Sequence, residues 1–105
     1  MSYWDTKHEP VVYYMVHAHH KGAVKIGTTV NMKQRLAKYR RNRNNEEYIF
    51  VAIEPGGTTL ESQRHLQFKN LLINGDWFFY AGDLQKHIEA LMQRDFNPES
   101  QGENA

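Results

Sequence analysis

The chain has 105 residues, a formal net charge of +1 and 12% aromatic residues, enough for one small core and too little for two. It contains no cysteine, which excludes disulfide staples and cysteine-based zinc sites and leaves stability to the core. The overall charge is too even to point to nucleic acid by itself, and no run approaches the length of a membrane span.

Residues 1–9 read as a loose polar leader without the apolar stretch of a secretory signal, so a soluble cytoplasmic protein is expected. Pro10 opens a first strand of about residues 11–17, where Val11-Val12-Tyr13-Tyr14-Met15-Val16 is β-branched and aromatic. His17 to Gly22 makes a turn. Its His17, His19 and His20 suit a transition metal only adventitiously, because no carboxylate or cysteine stands with them. A second strand over about 23–27 has Val24 and Ile26 on one face and Lys25 on the other, and it ends at Gly27.

Asn31 can cap a helix of about 31–41, with Met32, Leu36 and Tyr39 on one apolar stripe and Arg35 beside it. Between Asn31 and Asn45 the cations Lys33, Arg35, Lys38, Arg40, Arg41 and Arg43 face no acid, a local patch able to bind phosphates. A solvated helix face would show the same pattern. Tyr48 to Ile53 forms a third strand, closed by Pro55-Gly56-Gly57.

Thr58 or Thr59 can cap a second helix of about 59–73 with Glu61 near its positive end. Glu61, His65, Phe68 and Leu72 fall on one stripe, and its two large apolar members turn Glu61 and His65 toward protein. An inward carboxylate needs a partner. Asn74-Gly75 is a turn and Trp77 to Tyr80 a short aromatic strand or extended segment, with Trp77 expected in the core. Gly82-Asp83 starts a last helix through about Asp95, buried along Leu84, Ile88, Leu91 and Met92. Residues 97–105 are polar and expected to be disordered, which leaves 10–96 as a single α+β domain.

Phosphodiester hydrolysis needs an activated water, neutralisation of growing charge on the phosphate, and help for the leaving oxygen. Tyr13 or Tyr14, Lys25, Arg35 and Glu61 supply a phenol, an ammonium, a guanidinium and a carboxylate for those jobs. Tyr13, Gly27, Arg35 and Glu61 also stand where the GIY-YIG endonuclease superfamily carries its first-motif tyrosine, second-motif glycine, phosphate-binding arginine and metal-binding glutamate. The chain therefore resembles that superfamily over roughly residues 11–80. Glu61, His65, Phe68 and Gly75-Asp76-Trp77-Phe78 look like its phage-associated branch, named for a founding phage T5 member or as the meiotically up-regulated type. Val11-Val12 replaces the usual Gly-Ile, and Lys25 replaces the second tyrosine.

The resemblance implies a small antiparallel sheet of three strands with packed helices. It also implies a DNA endonuclease or nickase that uses Mg²⁺ or Mn²⁺ on Glu61; the sequence leaves the oligomeric state open between a monomer and a weak dimer. Tyr13 would orient or deprotonate the water, with Tyr14 as an alternative register and Tyr39 as a possible accessory. Lys25 stands either as base or as phosphate contact. His65 has three readings: a partner of Glu61, a phosphate contact, or a core histidine satisfied by the backbone. A different class of function fits the same residues, a noncatalytic module that holds DNA, RNA or a protein. A host-interaction factor of mobile-element origin is a third.

Overall fold

The computed structural model describes residues 7–41 and 48–95, without the side chains of residues 20, 21, 39–41 and 95. The expected leader falls largely outside these residues, as do the end of the basic stretch with Arg43, and the tail. The chain runs β1 (Val11–His17), β2 (His20–Thr29), α1 (Met32–Arg41), β3 (Tyr48–Pro55) and α2 (Thr58–Gln67). A 3₁₀ turn at Lys69–Leu71 leads into β4 (Leu72–Asn74), β5 (Trp77–Phe79) and α3 (Gly82–Asp95).

The sheet has five strands in the order β3-β1-β2-β5-β4, and every pair is antiparallel. This corrects the expectation of three. The two additional strands come from the aromatic segment Trp77–Phe79, which pairs with β2 as well as with its own hairpin partner Leu72–Asn74. The end of the expected 59–73 helix therefore becomes a 3₁₀ turn and the start of a strand. Phe68 caps α2 with its N–H on the Arg64 and Leu66 carbonyls, and Leu72 is already extended with φ −62° and ψ 130°. Leu72 consequently stands 46% exposed instead of sharing the buried stripe of Phe68.

Strand alternation on β1 divides the interior in two. Val12, Tyr14 and Val16 join Val24, Ile26, Ala52, Phe68 and Phe78 under α3, whose Leu84, Ile88 and Leu91 are buried as their spacing predicts. Val11, Tyr13 and Met15 face the other way, with Ile53 of β3 and Met32 of α1. Phe78 is the buried aromatic of its segment; Trp77 is half-buried, less enclosed than expected for a core residue. A register shift between Tyr14 and Met15 leaves Val51 as the extra residue of β3, so that Tyr48 and Phe50 can turn to the α1 side while Ala52 and Glu54 turn to the α3 side.

Candidate active surface on either side of β2

The β1–β2 register sets Tyr13 directly opposite Gly27, and the Tyr13 ring lies across that glycine. A Cβ added at Gly27 would stand 2.5 Å from Tyr13 Cζ and 2.6 Å from its hydroxyl oxygen, so only hydrogen fits beneath the ring. Phe50 meets the same ring edge-on at 5.3 Å between centroids, and the Arg35 guanidinium carbon sits 5.7 Å from its centre. That contact is within cation–π range.

Arg35 owes its position to a capped helix start. Asn31 Oδ1 accepts the Gln34 N–H at 2.9 Å and its carbonyl accepts the Arg35 N–H at 3.0 Å, while Thr29 Oγ1 receives the Asn31 N–H at 3.1 Å. Asn31 is thus the N-cap, as its type and place predict. Thr29, Asn31, Gln34, Arg35 and Lys38 line a groove along this end of α1. Lys33 and Lys38 are exposed on the same helix, and Arg40 and Arg41 lie in its last turn. Lys25 pairs with Met15 across β1 and so projects from the Tyr13 side of the sheet, two residues before Gly27.

Glu61 lies elsewhere along β2. It is in the first turn of α2, its N–H on the Gly57 carbonyl at 2.9 Å, and the N-cap is Gly57 without a side-chain bond, in place of the expected threonine. One turn on, His65 Nε2 lies 3.0 Å from the Ile26 carbonyl, to which it can donate, and its ring packs edge-on against Phe78. His65 therefore has the backbone partner of a satisfied histidine. The same nitrogen stands 3.9 Å from a Glu61 oxygen and 3.9 Å from an Asp76 oxygen.

Asp76 comes from the two-residue loop between β4 and β5. Gly75 takes φ +55°, a value that glycine adopts at little cost, and the Asp76 carbonyl receives the Ile26 N–H at 3.0 Å. Since β5 pairs with β2 only from Ala23 to Lys25, Ile26 meets the loop and His65 where the ladder ends. Three successive residues of β2 thus connect the site: Lys25 and Gly27 on the Tyr13 side, and Ile26 in contact with His65 and Asp76. Donor atoms of Glu61, His65 and Asp76 all lie within 4.8 Å of one another, and carboxylates of this kind suit a hard divalent cation whose other positions are filled by water and phosphate oxygen.

Tyr14 has a different fate from Tyr13. On the opposite face its hydroxyl donates to Glu54, and His87 Nε2 lies 3.1 Å from both the hydroxyl and the Glu54 carboxylate. Arg64 grips that carboxylate with Nε and Nη2, each at 2.9 Å. Burial pushes the Glu54 carboxyl up, but hydrogen bonds from His87, Arg64 and Tyr14 outweigh it and hold the group at about 2. Burial and the facing carboxylate push the Tyr14 phenol far above its ordinary value, so it stays protonated and acts as a donor. Neither Tyr39's side chain nor those of Arg40 and Arg41 belong to the described residues.

Glu54, Arg64 and His87 were not singled out from sequence, although the signal was there. Glu54 follows Ala52 at strand spacing, Arg64 lies between Leu60 and Phe68 at helical spacing, and His87 adjoins the Leu84, Ile88 and Leu91 stripe. Asp76 stands out in sequence only within Gly75-Asp76-Trp77-Phe78, because its partners come from β2 and α2.

The sequence profile of the T5orf172 domain matches residues 11–94. The chain belongs to the T5orf172 domain family. T5orf172 domains are found in GIY-YIG-like and nuclease-associated proteins. Neither the curated proteins nor the solved structures hold a significant match to this chain. Among the described residues of this T5orf172 domain, no helix is long and apolar enough to cross a membrane.

Proposed function

We propose that this T5orf172 domain is a divalent-metal-dependent DNA endonuclease or nickase. The observation that carries the reading is the stack of Arg35 over Tyr13 over Gly27, a phenol and a guanidinium held together on a glycine that admits no side chain. Family membership supports it.

In the proposed reaction a water oxygen bonds to phosphorus and releases a proton to solvent, the ester bond to the leaving sugar oxygen breaks, and that oxygen takes up a proton from solvent. Tyr13 orients the attacking water through its hydroxyl. Arg35 bears on the non-bridging oxygens, where charge accumulates, and Lys25 contacts the phosphate from the same face. Glu61 would hold Mg²⁺ or Mn²⁺, which supplies further neutralisation of that charge. Lys33 and Lys38, with Arg40 and Arg41 at the end of α1, carry the flanking phosphates, so affinity falls as salt rises.

The test is nicking of supercoiled plasmid by the purified chain with Mg²⁺ or Mn²⁺. The expected result is metal-dependent cutting that Glu61→Gln lowers by roughly a thousandfold or more while DNA binding persists. Unchanged cutting by Glu61→Gln would sink the assignment. A second reading, a noncatalytic nucleic-acid-binding module, is motivated by Lys25 in place of the second motif tyrosine. It predicts salt-sensitive DNA binding without cleavage under any metal.

A further inference from the structure

Glu61, His65 and Asp76 come from two separate pieces of chain, the first turns of α2 and the β4–β5 loop, yet they converge on one nitrogen. The convergence is built by backbone: Gly75 makes the loop, the Ile26 N–H holds the Asp76 carbonyl, and the Ile26 carbonyl holds His65 Nε2. No lysine or arginine among the described residues pairs with either carboxylate. Elsewhere in the molecule the buried carboxylate, Glu54, has its guanidinium.

We propose that Glu61, His65 and Asp76 form a three-donor metal site, in which Asp76 adds a second carboxylate and His65 an imidazole to Glu61, favouring Mn²⁺ over Mg²⁺. The proposal rests on Glu61 as the metal carboxylate of the function proposed above. On one octahedral ion, opposite ligand atoms stand about 4 Å apart and adjacent ones about 3 Å, given bond lengths of about 2.0–2.2 Å. One of the two carboxylates can stand opposite His65 Nε2 at its 3.9 Å, and the other closes by about 1 Å through side-chain rotation, as does the 4.8 Å limit on the whole set. Nε2 exchanges the Ile26 carbonyl for the ion, which requires the ring to present that nitrogen unprotonated. Oxygen donors suit Mg²⁺ and Mn²⁺ alike, whereas an imidazole adds more to the 3d ion. The half-exposed Asp76, at 50%, leaves room for water and a phosphate oxygen on the remaining positions.

The test is Mn²⁺ binding to the whole chain, followed by loss of the free-ion signal in electron paramagnetic resonance, with Mg²⁺ as competitor. Asp76→Asn and His65→Gln are compared with Glu61→Gln; the glutamine at 65 retains an amide donor for the Ile26 carbonyl, and circular dichroism confirms folding of each. Each variant is expected to weaken Mn²⁺ binding by about tenfold or more. Pulsed spectra of the bound ion are expected to show a nitrogen coupling that His65→Gln removes. Wild-type Mn²⁺ affinity in either Asp76→Asn or His65→Gln, with loss in Glu61→Gln, overturns the three-donor site and leaves Glu61 as metal carboxylate. Wild-type affinity in all three variants, or no binding by the wild-type chain, overturns both.

Discussion

Tyr13 and Tyr14 are neighbours on one strand, and strand alternation sends them into opposite worlds. Tyr14 is closed off: its hydroxyl, the Glu54 carboxylate, His87 and the Arg64 guanidinium satisfy one another between β1, β3, α2 and α3. Tyr13 lies against Gly27 with Arg35 above it, next to the groove lined by Gln34 and Lys38. Charges of the Tyr14 cluster are spent on each other, while the Tyr13 side gathers the cations Lys25, Arg35 and Lys38. The comparison teaches that the same residue type, one position apart, is committed to a buried charge cluster on one face and to a stack between a glycine and an arginine on the other.

Gly27→Ala attacks the Tyr13 side without removing any functional group. The added methyl has to displace the Tyr13 ring, which we expect to cost cleavage about a hundredfold. Stability should drop by about 1–3 kcal/mol from overpacking. Cleavage by Gly27→Ala equal to wild type would show that the Tyr13–Gly27 contact does not position the phenol.

Glu54→Gln attacks the other side. It leaves the Arg64 guanidinium without its carboxylate, and the expected loss is roughly 2–4 kcal/mol in urea unfolding. Cleavage by the folded variant should stay near wild type, because Glu54 faces the α3 side of the sheet. A stable Glu54→Gln protein would mean that the cluster contributes little beyond packing.

A gentler version of the same test uses pH. The Glu54 carboxyl is held at about 2, below its ordinary 4.5. A group with a depressed folded value stabilises the fold fully above its unfolded value, and the contribution fades as pH falls toward the folded one. The urea midpoint should therefore be flat above about pH 5 and decline between about pH 4.5 and pH 2, less steeply in Glu54→Gln. The same slope in both proteins would assign acid sensitivity to other carboxylates.

The smallest effect is expected from Asn31→Ala, which removes the bond from Oδ1 to the Gln34 N–H and should cost about 1 kcal/mol. Melting temperature measures it. Arg35 sits one turn inside this cap, so a larger loss of DNA affinity than of stability would tie the helix start to the phosphate surface.

Much of the fold was legible because it is local. The hairpin, the Asn31 cap and the Leu84, Ile88 and Leu91 stripe each depend on neighbours within a few residues, and each stands where expected. The five-stranded sheet was not legible, since β4 is three residues of Leu-Ile-Asn that extend only because β5 supplies a partner. At the site, Tyr13, Gly27 and Arg35 do meet, as the strand pairing and helix spacing allowed. Placing Glu61 beside Asp76 required knowing that β5 stops at Lys25 and leaves Ile26 to receive the loop. The Tyr14 cluster joins residues 40 and 73 positions apart, a separation at which sequence pattern gives the face but not the partner.

The central claim is tested most directly by Tyr13→Phe and Tyr14→Phe, each measured for plasmid nicking and for urea unfolding. The account predicts a crossover. Tyr13→Phe should lose cleavage by about a hundredfold or more. Tyr14→Phe should keep cleavage and lose about 1–2 kcal/mol of stability. Cleavage that survives Tyr13→Phe and disappears in a folded Tyr14→Phe would contradict the division between the two faces.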